Sequence, residues 1–442
     1  MSLRPYQDRA ISSLRAEFAR GKRAPVLVLP TGAGKTVVAA EIIRLTIERG
    51  RRVLFLAHRQ ELVSQSVAKL EAAGVTDLRI IQAANDAGRV NAPVAVASIP
   101  TLTKWAVMPD ADLVIFDECH HTVAKTWAKI AGRYAGSQLL GLTATPQRGD
   151  GKALGDIFDA LVVGSTVREL TDLGHLVPCR VYAPAAGTLE TGEMVLSPAQ
   201  AYLDRAEGQR AVVFCTTVEH AERVAGEMMA AGIPTGVVHG ESGAARRTAL
   251  DDLAAGRLRA VANVHVLTEG WDLPSVAVCI LARKPVHVGT FLQMVGRVLR
   301  PAPGKTYATL LDLCGSVIEH GPPDAEHEYA LDGRGISKVD REAIRQCVAC
   351  GGVFLAGPAQ CPMCGHTAPK REVRLPEAIG GELVDLSTLP KLPPRAFTVS
   401  ITAKYPGRCR MCSGPIHAGQ QIYWAKGEKP RHAECPRVGA VA

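Results

Sequence analysis

The sequence is poor in aromatic residues and has no long apolar run. Phe, Trp and Tyr together make up 5% of the 442 residues, so we expect buried strands built from Val, Ile and Leu, as in parallel sheets. No apolar run approaches the ~18 residues that a membrane-spanning helix needs, and the N-terminus lacks the apolar core of a signal peptide. These absences predict a cytoplasmic protein, in which the twelve cysteines are thiols or metal ligands rather than disulfides.

Excess charge is nearly absent from the first three quarters of the chain. The formal net charge is +8, and the segment from Lys338 to the end contributes +7 of it, with fifteen Lys and Arg against eight Asp and Glu. A basic tail on a near-neutral body indicates a polyanionic partner. An ordinary solvated surface is the alternative, because a charge of this size does not decide between the two.

Short apolar segments alternate with helical patterns in two successive stretches of the chain. Such alternation predicts an α/β fold with doubly wound parallel sheets, whose ligands bind at the carboxyl ends of the strands. The predicted strands are Val53–Ala57, Leu78–Gln82, Val94–Ala97, Leu113–Phe116 and Leu139–Leu142 in the first stretch, and Ala211–Cys215, Thr235–His239, Val261–Val264, Val276–Ala282 and Ala308–Leu313 in the second.

Composition shifts predict the domain boundaries. We place a first domain at residues 1–166, a connector at 167–198 and a second domain at 199–337. Two small modules follow at 338–371 and 399–442, and the Pro-rich segment 372–398 joins them as a semi-rigid linker.

The most informative stretch is Pro30-Thr31-Gly32-Ala33-Gly34-Lys35-Thr36, which lies between an apolar strand and a helical pattern. Strand, glycine loop and helix in this order are typical of a phosphate-binding loop, because the glycines aim backbone N–H groups at phosphate oxygens. Lys35 would reach the β- and γ-phosphates, and the Thr36 hydroxyl would hold Mg²⁺. Leu29 departs from the usual pattern, which has glycine there, and an ordinary strand-to-helix turn is the alternative interpretation.

Two acidic residues, Asp117 and Glu118, follow the predicted strand Leu113–Phe116. A carboxylate at that strand end can face the loop that carries Lys35. Asp117 would bind Mg²⁺ through water, and Glu118 would accept a proton from the water that attacks the γ-phosphate. Acidic pairs are often solvated turns, but together with the glycine loop this pair indicates nucleotide hydrolysis.

The motifs of the chain, taken in order, resemble those of the superfamily 2 helicases in the DEAD/DEAH-related branch, over roughly residues 3–321. The resemblance implies two tandem RecA-like domains with ATP and Mg²⁺ between them, and it implies that Gln7 reads the adenine base. His58 and Arg59 would touch the nucleic-acid backbone. The matching stretches are Arg4–Gln7, Pro30–Thr36, Ala57–Leu62, Asp117–His120, Thr143–Pro146, Leu267–Asp272 and Gln293–Arg300, and the implied nucleotide contacts also include Thr31, Gly32, Gly34, Gly270, Asp272 and Gln293.

Two arginines of the second domain, Arg297 and Arg300, are spaced one helical turn apart and would share a face. From that face they could reach the γ-phosphate that Lys35 and Mg²⁺ hold in the first domain. The catalytic site would then be complete only when the two domains close, so each ATP cycle would open and shut the cleft. A surface salt-bridge pair is the alternative.

The cysteine pattern after residue 337 predicts two structural zinc sites. Cys347, Cys350, Cys361 and Cys364 have the spacing of a Cys₄ site, and Cys409, Cys412, His432 and Cys435 have that of a Cys₃His site. His417 is a rival ligand in the second site, and chance spacing of free thiols is the alternative for the first.

Three further stretches, Asn263–Pro274, Asp312–Gly315 and His320–Pro322, are followed by the cysteine cluster. With them, the second half resembles the RadD-type branch of bacterial DNA-repair proteins within the superfamily. That resemblance implies a DNA helicase or translocase in repair or replication-fork maintenance, with a single-stranded-DNA-binding protein as a partner. Three alternatives remain open at this point. They are an RNA helicase, a double-stranded-DNA translocase subunit of the restriction type, and a DNA clamp that uses ATP without unwinding.

Overall fold

The chain divides into two units, residues 1–387 and residues 388–442. The computed structural model describes residues 3–58, 60–82, 85–87, 91–104, 108–121, 124–146, 153–184, 193–268, 270–327 and 329–332, together with the short segments 344–346, 353–355, 377–378, 380, 383–385, 399–402, 407–409, 414–417, 420–424 and 431–432. Among the helices within these ranges, none is long and apolar enough to cross a membrane.

The first domain is an eight-stranded sheet with strand order β4-β3-β5-β2-β6-β7-β1-β8. Every pairing in it is parallel except that of β3 with β4. Its elements are α1 Pro5–Ala19, β1 Pro25–Val28, α2 Lys35–Ile47, β2 Val53–Ala57, α3 Gln60–Ala72, β3 Leu78–Gln82, β4 Asn85–Ala87, β5 Val94–Ser98, α4 Ile99–Leu102, β6 Leu113–Asp117, α5 Ala124–Arg133, β7 Gln138–Thr143 and β8 Ala160–Val163.

The strands nearest the centre of this sheet are rich in Val, Leu, Ile, Ala and Phe, and β1, β2 and β5 are buried along their whole length. Full burial is the expected state of parallel strands with helices on both faces. Leu29, the residue that departs from the glycine-loop pattern, is fully buried and its amide donates to the Thr143 carbonyl at 3.0 Å. Leu29 therefore extends β1 toward the loop and belongs to the core.

The second domain is a seven-stranded sheet with order β12-β13-β11-β14-β15-β9-β19, parallel except at β19. Its elements, with the helix that leads into it, are α6 Val167–Asp172, β9 Cys179–Ala183, β10 Glu193–Met194, α7 Pro198–Ala206, β11 Ala211–Phe214, α8 Val218–Ala230, β12 Thr235–Val238, α9 Gly243–Ala255, β13 Ala260–Asn263, β14 Val278–Leu281, α10 Val288–Gly296, β15 Ala308–Asp312 and α11 Ser316–His320. The prediction of two α/β domains with parallel sheets is confirmed.

Two segments outside the predicted second domain also join its sheet. Strand β9 lies in the predicted connector and pairs with β15, and β19, Val384–Asp385, lies in the predicted linker and pairs with β9 in antiparallel orientation. Leu383 packs into the core of the second domain. A short antiparallel strand covers an edge that would otherwise present unpaired backbone groups, which gives a reason for the linker to dock.

After α11 the chain returns from the second domain to the first. The amide of Gly155 in the first domain donates to the Leu331 carbonyl at 2.7 Å, and Asp324 pairs with Arg168 of α6 at 3.7 Å. Tyr329 and Leu331 pack against the apolar core on one face of the first sheet. This return segment, residues 321–332, therefore ties the two domains together on one side of their interface.

The remaining strands are short. Before the division at residue 387 they are β16 Ile344–Gln346 and β17 Val353–Leu355, which form an antiparallel pair, and β18 Glu377–Ala378, which pairs with β10. The second unit contains β20 Val399–Thr402, β21 Gly407–Arg408, β22 Pro415–Ile416, β23 Gln421–Trp424 and β24 Arg431–His432. Strands β20, β23 and β24 form one sheet, and β21 and β22 form a separate antiparallel pair.

Candidate nucleotide site

The glycine loop lies between β1 and α2, as the sequence predicts. Gly32 and Gly34 have φ angles of +91° and +78°, a region that residues with a Cβ rarely adopt. Gly34 is the N-cap of α2, so Lys35 and Thr36 are the first two residues of a thirteen-residue helix. No side chain caps this helix end, so its first backbone N–H groups stay free for an anion.

Helix α1 packs against the same loop through two buried side chains. The Tyr6 hydroxyl donates to the Ala33 carbonyl at 2.8 Å, and the Gln7 amide nitrogen donates to the same carbonyl at 3.2 Å. The other end of the Gln7 amide accepts the Arg4 backbone N–H at 3.0 Å. A Cβ at Gly34 would lie 2.7 Å from the Gln7 amide nitrogen. Gln7 is therefore fixed at the edge of the loop, beside the position where the sequence predicts a base.

The acidic pair lies at the carboxyl end of β6 and faces Lys35. The Lys35 ammonium donates to Glu118 Oε1 at 2.5 Å, and both side chains are about five-sixths buried. Burial, and next the neighbouring Glu118 carboxylate, raise the pKa of Asp117 to about 6, and Lys35 opposes both. Two carboxylates thus face one ammonium. Such a donor set suits Mg²⁺, which prefers carboxylate oxygen, and Asp117 with Thr36 would hold it.

His120 connects the acidic pair to both domains. The Gln293 amide nitrogen lies 3.0 Å from His120 Nε2, and His120 Nδ1 lies 2.9 Å from the Thr143 hydroxyl. An amide nitrogen only donates, so Nε2 accepts and the proton of a neutral ring is on Nδ1. The Thr143 hydroxyl in turn donates to the Thr145 carbonyl at 2.8 Å. Each donor in this buried chain therefore meets an acceptor, and the chain runs from the second domain into the first.

One face of α10 contacts these loops. We call it the docking face, and it consists of Gly289, Gln293 and Gly296, together with Arg300, which lies beyond the end of the helix. The spacings of four and three residues place the first three on one side of the helix. A Cβ added at Gly289 would lie 2.8 Å from Thr145 Oγ1, one added at Gly296 would lie 2.6 Å from Thr31 Cβ, and one added at Gly32 would lie 3.1 Å from Arg300 Cγ. The docking face is therefore in van der Waals contact with the glycine loop.

The two arginines lie in opposite surroundings, because α10 ends at Gly296 and does not continue through them. Arg297 is buried and turns away from the loop, where Nε and Nη2 donate to the Thr268 carbonyl at 2.9 and 2.6 Å and Nη1 donates to the Trp271 carbonyl at 2.6 Å. Arg300 pairs with Asp272 while its side chain lies against Gly32. The expectation of a shared helical face is therefore wrong in this structure, and Arg300 is the arginine beside the loop.

Comparison with known proteins agrees with this geometry. Residues 1–148 match the family described as Type III restriction enzyme, res subunit, and residues 195–302 match the helicase conserved C-terminal domain. The chain is 31% identical over 364 residues to a 51.5 kDa protein of a Lactococcus phage, with 76% of each chain covered. It is 28% identical to the protein of Schizosaccharomyces pombe designated mitochondrial ATP-dependent helicase Irc3. The aligned region covers 72% of this chain and 58% of the Irc3 protein.

The chain belongs to the superfamily 2 helicases. Among solved structures, the type ISP restriction-modification enzyme LlaBIII bound to DNA shares its fold with a TM-score of 0.55 at 19% identity, over 70% of this chain and 28% of that one. The two matched helicase families indicate a nucleic-acid-dependent ATPase, and the structure shows its two parallel-sheet domains. The chain spans little more than half the length of the Irc3 relative.

The structure describes some, but not all, of the remaining site residues that the sequence predicts for this helicase. His58 follows β2 at the same sheet edge as Asp117, whereas Arg59 is outside the described residues. Gly270, with φ +72°, and Asp272 lie in the loop after β13 that also receives Arg297. Their nucleotide contacts stay predictions.

The predicted zinc ligands fall mostly outside the described ranges of the helicase. Of the two that are described, Cys409 is buried and His432 lies in β24. In the part of the chain that the structure describes, no group of three or more His, Cys, Asp or Glu is arranged to hold a metal. The predicted zinc ligands that lie outside the described residues are Cys347, Cys350, Cys361, Cys364, Cys412 and Cys435.

Sequence reasoning missed the roles of Tyr6, His120 and Gly289. Tyr6 and His120 were visible as members of matched stretches, but nothing local indicates that one holds the loop carbonyl and the other bridges the domains. Gly289 belongs to none of the matched stretches. Only the contact with Thr145 singles it out.

Proposed function

We propose that the chain is an ATP-driven DNA translocase or helicase in which hydrolysis follows closure of the docking face on the glycine loop. The observation that carries this proposal is the hydrogen-bond chain from Gln293 through His120 to Thr143, which links the two domains directly beside Glu118. A change of charge at the γ-phosphate position would alter the contacts of His120, and the hydrogen bond from Gln293 would carry that change to the second domain.

The roles of the site residues follow from their placement. Lys35 and the open N-terminus of α2 would bind the phosphates, and Gln7 would contact the base. Glu118 would accept the proton of the attacking water once Lys35 exchanges its carboxylate for phosphate. Mg²⁺, when bound, would neutralise charge on the transferring group. Arg300, adjacent to Gly32, would supply positive charge from the second domain, whereas Arg297 would hold the loop after β13 in shape.

DNA as the nucleic acid is supported by the restriction-enzyme family that matches the first domain and by LlaBIII, whose structure is bound to DNA. The basic tail after residue 337 suits a polyanion. A role in repair or fork maintenance, and a single-stranded-DNA-binding protein as partner, rest on the resemblance to RadD-type proteins.

The experiment for this proposal is ATP turnover measured against single-stranded, duplex and forked DNA and against RNA of matched sequence. We expect stimulation by at least one DNA form well above that by RNA. Equal or greater stimulation by RNA would reassign the substrate, and turnover in a DNA-bound state without displacement of a strand or a bound protein would indicate a clamp.

The two zinc modules are part of the same proposal. Cys409 follows β21, its amide donates to the Gly414 carbonyl at 2.9 Å, and β22 then pairs with β21. A tight hairpin of this kind supports a Cys-x-x-Cys site, because it brings the first cysteine to the base of a short loop. We expect about two zinc ions per purified chain by elemental analysis. A value near one would withdraw the Cys₃His site, and a value near zero would withdraw both.

A further inference from the structure

We propose that Gly289 is a positioning residue for ATP hydrolysis, because its missing side chain lets the start of α10 dock against Thr145. This inference rests on the closure described under the proposed function. The contact is the outermost of the docking face. It lies eleven residues before Arg300 in sequence, so it controls the seating of α10 from the end opposite the arginine.

The space at Gly289 is closed by groups that cannot move aside easily. An added Cβ would lie 2.8 Å from Thr145 Oγ1 and 3.3 Å from Thr145 Cβ. Thr145 is 2% exposed, and its backbone is fixed because its amide donates to the Thr143 hydroxyl at 3.0 Å and its carbonyl accepts from the same hydroxyl at 2.8 Å. A side chain at position 289 therefore requires either α10 or the Thr145 side chain to shift, and we infer that α10 moves away from the first domain.

Backbone conformation gives no other reason for glycine at this position. Gly289 is the second residue of α10, and its φ lies outside the positive range. Glycine within a helix is less favourable than alanine, so its presence needs a gain elsewhere. The close approach to Thr145 supplies that gain.

A shift of Gly289 would also move the other residues of the docking face, because they lie on α10 or just beyond its end. Gln293 is one turn further along the same rigid helix, where its amide meets His120, and Gly296 is one turn beyond that, against Thr31. The hydrogen bond to His120 weakens steeply when the donor moves out of line with its acceptor. Displacement at Gly289 would thus loosen the link to His120 and lift Arg300 from the loop.

The test is steady-state ATP turnover by Gly289→Ala with saturating DNA. We expect kcat to fall about tenfold with little change in the KM for ATP, since Gln7, the glycine loop and Lys35 all belong to the first domain. The matched control is Gly226→Ala in α8, a helical glycine with nothing within 4 Å of an added Cβ. We expect that variant to turn over ATP at the rate of the unmodified chain.

A double variant separates positioning from loss of folding. Thr145→Ala removes a buried hydroxyl that has no hydrogen-bond partner within the described ranges, and it makes room for a Cβ at position 289. We expect Gly289→Ala combined with Thr145→Ala to be faster than the product of the two single effects, by about fivefold. Strictly multiplicative effects, or a kcat for Gly289→Ala equal to that of the control, would overturn the inference.

The failure of this inference is distinguishable from that of the proposed function. If Lys35→Ala retained turnover, the ATP site itself would be misassigned. If Lys35→Ala were inactive while Gly289→Ala turned over ATP at the control rate, only the role of Gly289 would be withdrawn.

Discussion

The two domains each contain a buried strand, a short loop and a thirteen-residue helix, but the two helices begin in different ways. The N-cap of helix α2 is Gly34, and no side chain satisfies the first backbone N–H groups of that helix. The N-cap of helix α8 is Thr217, whose hydroxyl accepts the His220 N–H at 3.1 Å, and His220 Nδ1 accepts the Thr216 N–H at 3.2 Å. The first helix is therefore open to an anion, and the second is closed by its own side chains.

In the proposed mechanism, this difference divides one reaction between two similar sheets. An uncapped helix end leaves a helix less stable by about 1 kcal/mol, a loss that a bound phosphate can offset. A capped end has no such need. The second domain accordingly presents α10 to the site, with two glycines and one amide that fit against the loops of the first domain.

Among substitutions that test the difference between the two helix ends, Lys35→Ala should have the largest effect on ATP turnover. Removal of the ammonium at the open helix end should lower ATP turnover at least ~10³-fold, because the phosphate charge would be left uncompensated. Phosphate-release kinetics measure the loss. The control is Lys22→Ala, an exposed lysine outside the loop, and activity above a few per cent in Lys35→Ala would contradict the assignment.

The two arginines give the next largest contrast. Arg300→Ala should lower turnover about 100-fold with little change in the melting temperature, since its partner Asp272 is half exposed. Arg297→Ala should instead lower the free energy of unfolding by about 2–4 kcal/mol, because two carbonyls that accept its hydrogen bonds lose a buried partner.

Calorimetry together with ATP turnover separates the two variants. Equal loss of stability in both would mean that Arg300 is structural. A folded and stable Arg297→Ala with no turnover would mean that Arg297 leaves its carbonyl partners during the cycle.

Thr217→Ala tests the closed helix end. Loss of the cap should lower the free energy of unfolding by about 1 kcal/mol without affecting the KM for ATP. Ser98→Ala is a matched control in the first domain, where Ser98 caps the short helix α4. A raised KM for ATP in Thr217→Ala would show that the second helix end also takes part in nucleotide binding.

The smallest expected effect is a pH dependence at the same helix end. Burial, and to a smaller extent Arg223, lower the pKa of His220 to about 4. The folded chain therefore keeps this ring neutral, while the unfolded chain takes up a proton below about pH 6.5. Stability from this residue is therefore lost as pH falls, by about 0.8 kcal/mol between pH 7.5 and pH 6.

Comparing urea unfolding of the original chain and of His220→Asn over this pH range isolates the contribution. The asparagine oxygen can replace Nδ1 as the acceptor for Thr216, and it does not titrate. We expect a shallower loss of stability in the variant. Parallel curves would show that the pKa of His220 is the same in the folded and the unfolded chain.

Much of this architecture could be read from the sequence, because it is encoded by local patterns. The predicted strands from Val53–Ala57 to Ala308–Leu313 lie within one or two residues of the observed ones, since short runs of Val, Leu, Ile and Ala bounded by turns have few other solutions. The glycine loop was equally clear, because Gly32 and Gly34 occupy backbone conformations that suit glycine.

The parts that could not be read depend on contacts between distant residues. Strand β8 was not predicted, and β9 and β19 were assigned to connector and linker, because the pairing of an edge strand depends on its neighbour rather than on its own composition. The divergence of Arg297 and Arg300 follows from the end of α10 at Gly296, where the carbonyls of Thr268 and Trp271 compete for the guanidinium. No local sequence pattern indicates that those carbonyls accept hydrogen bonds from Arg297.

The most direct test of the central claim is a reversible cross-link between Gly289→Cys and Thr145→Cys. The Cβ separation there would be 3.3 Å, close to the ~3.8 Å of a relaxed disulfide. If ATP is hydrolysed through docking and release of this face, the disulfide should form under mild oxidation and lower steady-state ATP turnover at least about tenfold below the rate of the same double variant in its reduced form, and reduction should restore that rate. Two results would contradict the account: a cross-linked chain that turns over ATP as fast as the chemically reduced variant, or cysteines that do not form the disulfide.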